Sequence, residues 1–169
     1  MKILLFTLLA AVVGVIAAGL VGLLLPATRT ASATREIAAP PERVWRLMTN
    51  LAAQPTWRPG VAAVEVLDAT PGREHWIERP LSGPAIRFHT ERQLAPTDWT
   101  IAFSGPAEGR WTGRLDTQAG GRGVLLNIEE SSTVRNPWMR LVARLAFDPQ
   151  AFVDTYLGQL AAEAEKSGR

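Results

Sequence analysis

One glutamate stands on the apolar face of a predicted strand. Val124, Leu126 and Ile128 alternate with more polar residues, and side chains two positions apart point to the same face of a strand. This alternation places Glu130 on the same apolar face. A carboxylate there is costly unless it is protonated, paired with an arginine or close to the mouth of a pocket. Its chemistry would be that of a general acid or base, or of one partner in a structural ion pair, and the sequence leaves both open.

The same alternation, applied to the other predicted strands, gives an inward face that is rich in aromatic residues. An apolar lining with a few polar groups is the usual composition of a small-molecule site. The residues predicted to bind a ligand are Trp76, Phe88, Arg92, Trp99, Phe103, Trp111 and Glu130. Glu78 is a further candidate, although its strand can be phased with either Trp76 and Glu78 or His75 and Ile77 facing inward. The aromatic residues would equally fill a core that has no pocket.

Other catalytic chemistry is sparse in this sequence. There is no cysteine, and the two histidines, His75 and His89, lie on separate predicted strands without the spacing of a metal site. Glu129 and Glu130 are adjacent and therefore point to opposite faces of a strand. We expect no catalytic residue, no metal and no cofactor. The net charge is only +2 and acidic residues alternate with arginines, so a nucleic-acid partner is not expected.

The N-terminus carries a long uncharged apolar segment from Ile3 to Leu25. At about 1.5 Å per helical residue, this segment is long enough to cross a bilayer core of roughly 30 Å. We predict that residues 1–26 form a transmembrane anchor that holds a single-pass protein in the cell membrane. The alternative is a cleaved signal peptide with a small-residue site at 31–33. Lys2 and the arginines beyond the segment favour opposite orientations, so the side of the soluble domain stays open.

Three glycines lie on this apolar segment at near-helical spacing. Gly14, Gly19 and Gly22 would let another helix approach closely, as small residues do in membrane helices. One hypothesis is that this face associates with another helix, and the alternative is that the glycines reflect only the general abundance of glycine in membrane helices.

The rest of the chain predicts an α+β domain over residues 27–169. A strand at 29–37 is followed by two short helices, six strands separated by turn residues, and one long C-terminal helix with a break at Asp148-Pro149. Short links between successive strands indicate antiparallel pairing, which gives a curved sheet of about seven strands. The apolar stripe of the C-terminal helix, which includes Trp138 and Leu160, is expected to close that sheet and to leave a cavity beneath it.

Several segments together resemble the START-like helix-grip (SRPBCC) superfamily, which includes polyketide cyclase/dehydratases and lipid-transfer domains. The resemblance is carried by the segments 37-IAAPPERVW-45, 57-WRP-59, 109-GRWT-112, 123-GVLLNIEE-130 and 136-NP-137. The resemblance covers roughly residues 27 to 166. Within the superfamily, the chain is similar to a bacterial branch that has an N-terminal membrane helix. The resemblance implies a pocket for apolar or amphipathic ligands and does not imply one particular reaction.

Three functions follow as hypotheses. The first is membrane-anchored, non-catalytic binding of a lipid or another hydrophobic small molecule. The second is a polyketide cyclase/dehydratase-like enzyme in which Glu130 is the general acid or base and Arg92 or His89 polarises an oxygen. The third is a tethered scaffold with a vestigial pocket, which would have a fully packed core. The sequence indicates no particular protein partner.

Overall fold

The computed structural model describes residues 2–118, 120–121 and 123–166. Met1, Ala119, Arg122 and residues 167–169, which belong to the two predicted regions, lie outside the described residues. An apolar helix precedes an α+β domain. The helices are α1 (Lys2–Leu24), α2 (Pro41–Thr49), α3 (Gln54–Trp57), α4 (Pro137–Ala146) and α5 (Pro149–Ala164), with a short 3-10 turn at Leu51–Ala53. The strands are β1 (Thr28–Ile37), β2 (Val61–Asp68), β3 (His75–Pro80), β4 (Ile86–Leu94), β5 (Asp98–Ser104), β6 (Glu108–Thr117) and β7 (Val124–Thr133).

The seven strands form one antiparallel sheet in the order β1-β7-β6-β5-β4-β3-β2. Strands β1 and β2 lie at opposite edges of the sheet, and helices α2 and α3 form the connection between them. Strand β7 lies between β1 and β6, and Glu130 is therefore flanked by Ala31 on one side and by Trp111 on the other. The predicted helix-grip architecture, with about seven strands and two short helices after the first strand, is confirmed.

The half of the sheet that is farther from α1 is filled by apolar side chains. Helix α2 has its apolar residues at i and i+4, and this spacing turns Val44 and Met48 towards the strands, where both are fully buried. Helix α5 packs against β1 and contributes buried residues such as Val153 and Leu160. Burying a side chain of this size stabilises the fold by about 1.5–3 kcal/mol.

The C-terminal helical region is divided at Phe147 and Asp148, which confirms the predicted break. Both residues have extended backbone angles, with φ −138° and ψ 127° at Phe147 and φ −109° and ψ 107° at Asp148. The carboxylate of Asp148 then accepts a hydrogen bond of 3.0 Å from the backbone N–H of Gln150 and caps α5. Two separate helices result, each with proline in its first turn.

The prediction that one apolar stripe continues from Trp138 to Leu160 and closes the sheet is wrong for its first half. Only α5 packs directly on the strands, whereas α4 stands off the sheet and packs against α1, and none of its ten residues is buried. The extended residues between the two helices change the direction of the chain, so α4 does not continue the packing of α5 against the strands.

Helix α1 has 23 residues, which gives a length of about 34 Å at 1.5 Å per residue. Its segment from Phe6 to Leu24 is long and apolar enough to cross a membrane, and most of its large apolar side chains are exposed. A helix that belonged to the core of the domain would bury them. The glycine-based helix association occurs within the chain, because Gly19 lies against the indole of Trp138 and Gly22 against the backbone of Pro137.

Candidate ligand-binding site

A cavity of about 640 Å³ lies between the sheet and helices α3, α4 and α5, in the half of the domain that is nearer to α1. Its outer boundary includes the link Leu25–Ala27 after α1, the loops that follow β3 and β5, and the helix α4. This volume is within the range of about 300–1,000 Å³ that is typical of small-molecule sites. The core is therefore not fully packed, contrary to what the vestigial-pocket hypothesis requires.

The wall of the cavity contains a continuous series of aromatic rings. Neighbouring ring centroids lie 5.2 to 6.0 Å apart, and the pairs are stacked, tilted or edge-to-face. In spatial order the rings are Phe103, Phe88, Trp76, Trp99, Trp111 and Tyr156. Trp99 is held by its indole N–H, which donates a hydrogen bond of 3.2 Å to the hydroxyl of Thr90. The lining is thus both apolar and fixed in orientation.

Six of the seven residues predicted from strand alternation line this single cavity: Trp76, Phe88, Trp99, Phe103, Trp111 and Glu130. The structure also decides the phase of β3, because Trp76 and Glu78 are buried and line the cavity whereas His75 is exposed. The alternation of half-buried strands therefore identifies side chains on five successive strands, β3 to β7, which the folded sheet places around one cavity.

The prediction that Arg92 faces inward is wrong. The pairing of β4 with β5 shifts between Thr90 and Arg92, where Glu91 is an extra residue, so Thr90 faces inward and Arg92 is exposed. Such a bulge reverses the side-chain phase of everything after it. His89 is also exposed, and its ring lies 5.7 Å from that of His75 on the outer surface. Neither Arg92 nor His89 can polarise a ligand in the cavity.

A buried ion pair, which strand alternation alone did not predict, lies in the cavity wall. Arg58, which follows α3, donates two hydrogen bonds to the carboxylate of Glu78, at 2.7 and 3.0 Å. The same guanidinium donates to the side-chain oxygen of Gln54, whose amide nitrogen donates to the carbonyl of Met48 at 3.0 Å. The charges are therefore matched and their hydrogen-bonding capacity is largely used within the protein.

The only tyrosine of the chain, Tyr156, projects from α5 into this region. The guanidinium carbon of Arg58 lies 5.4 Å from the centre of its ring, a cation–π contact. Burial raises the pKa of Tyr156 above its ordinary value, so its hydroxyl stays neutral. The sequence signal for Tyr156 was its position on the apolar stripe of the C-terminal helix, which is also the signal of an ordinary core residue.

Glu130 differs from Glu78 because none of the arginines and lysines that the structure describes forms an ion pair with it. Its Oε2 atom is buried and has no hydrogen-bond partner among the described residues. Burial raises the pKa of Glu130 to about 7, and the positive charge of Arg29 opposes this shift only in part. Near neutral pH the carboxyl group is therefore divided between a protonated form, which can donate a hydrogen bond, and a charged form, which can accept a proton.

Arg29 lines the cavity from β1, opposite Ser132 on β7. One of its terminal nitrogens, Nη1, donates a hydrogen bond of 2.8 Å to the carbonyl of Phe147 at the end of α4. This bond connects the wall of the cavity to the helix at its outer boundary.

The described residues were compared with the side-chain groups that hold metal ions in proteins. Among the described residues, no group of three or more histidine, aspartate or glutamate side chains is arranged to hold a metal ion. The polar side chains that line the cavity are carboxylates, arginines, hydroxyls and the amide of Gln54, all of which can form hydrogen bonds.

Comparison with known families identifies the domain. The model of the family described as "Polyketide cyclase / dehydrase and lipid transport" matches residues 28–165. The chain belongs to this family. The matched region of this polyketide cyclase/dehydrase family member begins with β1 and ends just after α5, so it contains all of the cavity except the link after α1. A comparison with curated protein sequences finds no significant match.

Solved structures share the fold of this family member at low sequence identity. The Zhui aromatase/cyclase from Streptomyces sp. R1128 is 16% identical, with a TM-score of 0.66, over 84% of this chain and 96% of the other. A truncated norcoclaurine synthase from Thalictrum flavum is 10% identical, with a TM-score of 0.66, over 83% and 95%. A protein from Thermus thermophilus is 20% identical, with a TM-score of 0.67, over 83% and 100%. These similarities establish the helix-grip fold. They do not identify a ligand, so arguments about a ligand depend on the residues that line the cavity.

Proposed function

We propose that the protein is a membrane-anchored binder of a lipid or another hydrophobic small molecule, which it holds in the cavity without changing it chemically. The observation that carries this proposal is the cavity of about 640 Å³ with its series of six aromatic rings. Membership of a family that includes lipid transport supports it, as does an N-terminal helix long enough to cross a bilayer.

The polar groups of the cavity define the kind of ligand. Arg58 and Glu78 neutralise each other, so they offer little net charge to a bound molecule. Glu130 and Arg29 are not joined by an ion pair, and in its protonated form Glu130 can donate one hydrogen bond to a carbonyl or hydroxyl oxygen. The preferred ligand is therefore apolar over most of its length and carries an oxygen acceptor.

Ligand occupancy is tested directly on full-length protein. Native mass spectrometry after extraction from its own membranes should show a co-purified small molecule, and a lipophilic fluorescent dye should bind with saturation. Ser132→Phe places a ring in the cavity beside Glu130 and should abolish dye binding, whereas Ser131→Phe, on the opposite face of β7, should not. If no molecule co-purifies and the dye binds without saturation, or if it binds equally to both variants, the proposal is refuted.

Glu130 supports a second candidate function, a cyclase/dehydratase-like enzyme. A buried carboxyl group with a pKa near 7 on a cavity wall has the properties of a general acid or base. The other parts of that hypothesis are weaker, because Arg92 and His89 both lie outside the cavity. Incubation of the protein with its co-purified ligand distinguishes the two functions. Turnover that is lost in Glu130→Gln and kept in Glu129→Gln would establish the enzyme, and an unchanged ligand would exclude it for that molecule.

A further inference from the structure

We infer that α4 is a second membrane contact, which lies in the surface of an anionic bilayer beside α1 and turns the mouth of the cavity towards the lipid. The inference deepens the proposed function and rests on its membrane anchor. The contact surface is the exposed apolar face of α4, and its partner is the bilayer that contains α1.

The depth of α4 follows from its contact with α1. The indole of Trp138 lies so close to Gly19 that a Cβ atom on that glycine would be 2.7 Å from the indole carbon Cζ2, and a Cβ on Gly22 would collide with the carbonyl oxygen of Pro137. Gly19 is five residues before the end of α1, which corresponds to about 7 Å along the helix axis. When α1 spans a bilayer, the first turn of α4 therefore lies within about 8 Å of the edge of the hydrocarbon, near the interface where tryptophan is enriched in membrane proteins.

The composition of α4 is that of a helix at a membrane surface. Its exposed apolar side chains include Val142 and Leu145, which is 81% exposed, although α4 belongs to a domain with a well-buried core. Arg140 and Arg144 lie one turn apart on another face, where both border the mouth of the cavity, and no acidic residue occurs between 134 and 147. Apolar residues on one face and arginines on another bind a helix in the plane of an anionic bilayer surface.

The cavity opens beside this surface. Met139, Val142 and Ala143 of α4 line it, as does the link Leu25–Ala27 that joins α1 to the domain. Arg140 fixes the two elements to each other, because it donates hydrogen bonds to the carbonyls of Val134 at 2.8 Å and Leu25 at 3.5 Å. A ligand that leaves the bilayer at this point enters the cavity without passing through bulk water.

The absence of cysteine from the chain allows a single-label test of this placement. Leu145→Cys and Leu67→Cys are each labelled with an environment-sensitive fluorophore in full-length protein, in nanodiscs of phosphatidylcholine and phosphatidylglycerol that carry a spin-labelled quencher lipid. Leu67 is the matched control, because it is also exposed, at 60%, and lies on β2 towards the end of the sheet away from the mouth. We expect a blue shift and a loss of emission at position 145 and neither at position 67. Equal quenching at both positions, or none at 145, overturns the inference.

A second pair of variants tests whether the contact between α1 and α4 at the glycines positions α4. Gly22→Leu should separate α4 from α1 and decrease the quenching at position 145, whereas Gly14→Leu, where no atom lies within 4 Å of an added Cβ, should leave it unchanged. Equal quenching in the two variants would show that this contact does not position α4. Dye binding, measured on the same samples, separates the proposals. Saturable binding without quenching at 145 refutes only the membrane contact of α4, and quenching without binding refutes only the ligand function.

Discussion

The guanidinium of Arg58 and the carboxylate of Glu78 form a two-point ion pair in the wall of the cavity, with each residue less than one tenth exposed. The two residues are twenty positions apart and come from different elements, a short helix end and a strand. Their pairing fixes α3 against the sheet beside Tyr156, which the same guanidinium contacts. It therefore connects the packing of the domain to the shape of the cavity.

The stability of the domain should depend on this pair. Glu78→Ala leaves the charge of Arg58 buried without a partner, and we expect a loss of about 3–5 kcal/mol in the free energy of unfolding. The neighbouring Arg79→Ala breaks only an exposed pair with Glu65 and should cost about 0–1 kcal/mol. Denaturant unfolding in detergent measures both. A similar, small loss in the two variants would contradict the structural role of Arg58 and Glu78.

The titration of Glu130 should be visible as a loss of stability with rising pH. Its pKa is about 7 in the folded protein against about 4.5 in the unfolded chain, so the folded state binds the proton more tightly between these values. This contribution to stability is fully present below pH 4.5, decreases between pH 4.5 and 7 and is lost above pH 7. Its full size is about 3 kcal/mol. Glu130→Gln should remove this dependence and be the more stable form at about pH 8.

Infrared spectroscopy tests the same titration without unfolding. The absorption of a protonated carboxyl group should disappear with a midpoint near pH 7 in the wild-type protein and be absent from Glu130→Gln. Glu129→Gln is the control, because Glu129 is exposed on the opposite face of β7. A midpoint near 4.5, the ordinary pKa of this carboxyl group, would show that water or another group solvates Glu130 and would remove the argument for its acid–base role.

The hydrogen bond from Trp99 to Thr90 should contribute to the order of the aromatic wall. Thr90→Val keeps the shape of the side chain and leaves the buried indole N–H without a partner, at a cost of about 1–3 kcal/mol. Thr100→Val, which removes a half-buried contact with Thr112 at 3.3 Å, should cost less than about 1 kcal/mol. Thermal unfolding compares the two, and equal costs would show that Trp99 finds another acceptor.

The N-terminal helix should remain attached in the mature protein. We expect the intact mass of the protein in the membrane fraction to include residues 1–26, because α1 packs on α4 through Gly19 and Gly22. Soluble protein whose chain begins near Thr34 would identify the segment as a signal peptide and would contradict the anchor. Such cleavage would also remove the first six residues of β1.

Strand alternation was sufficient to predict the strands of the sheet and the aromatic residues that they contribute to the cavity wall. It succeeds for Trp99, Phe103 and Trp111 because large apolar residues must face the covered side of a half-exposed sheet. It fails at Arg92 because the bulge adds one residue where Glu91 and Arg92 are both polar, so the apolar pattern contains no sign of the shift. The elements themselves are predicted well because turn residues and proline mark their ends.

The remaining features depend on contacts between residues that are distant in sequence. No local pattern pairs Arg58 with Glu78, because only the folded chain brings their side chains together. The partner of α4 was missed for a similar reason. Its apolar stripe has the spacing of a helix that covers a sheet, and only the change of direction at Phe147 and Asp148 turns it towards α1.

The link between α1 and β1 consists of three residues, Leu25, Pro26 and Ala27. At most about 3.6 Å per residue, it gives the domain a radius of movement of roughly 10 Å, which is much less than the width of the domain itself. If α1 spans a bilayer and the cavity holds a ligand, as we propose, the protein would collect that ligand by diffusion in two dimensions and return it to the same leaflet. Delivery to a distant membrane would need a second, mobile carrier. This geometry suits a stationary reservoir that presents one molecule at a time to a neighbour in the same membrane.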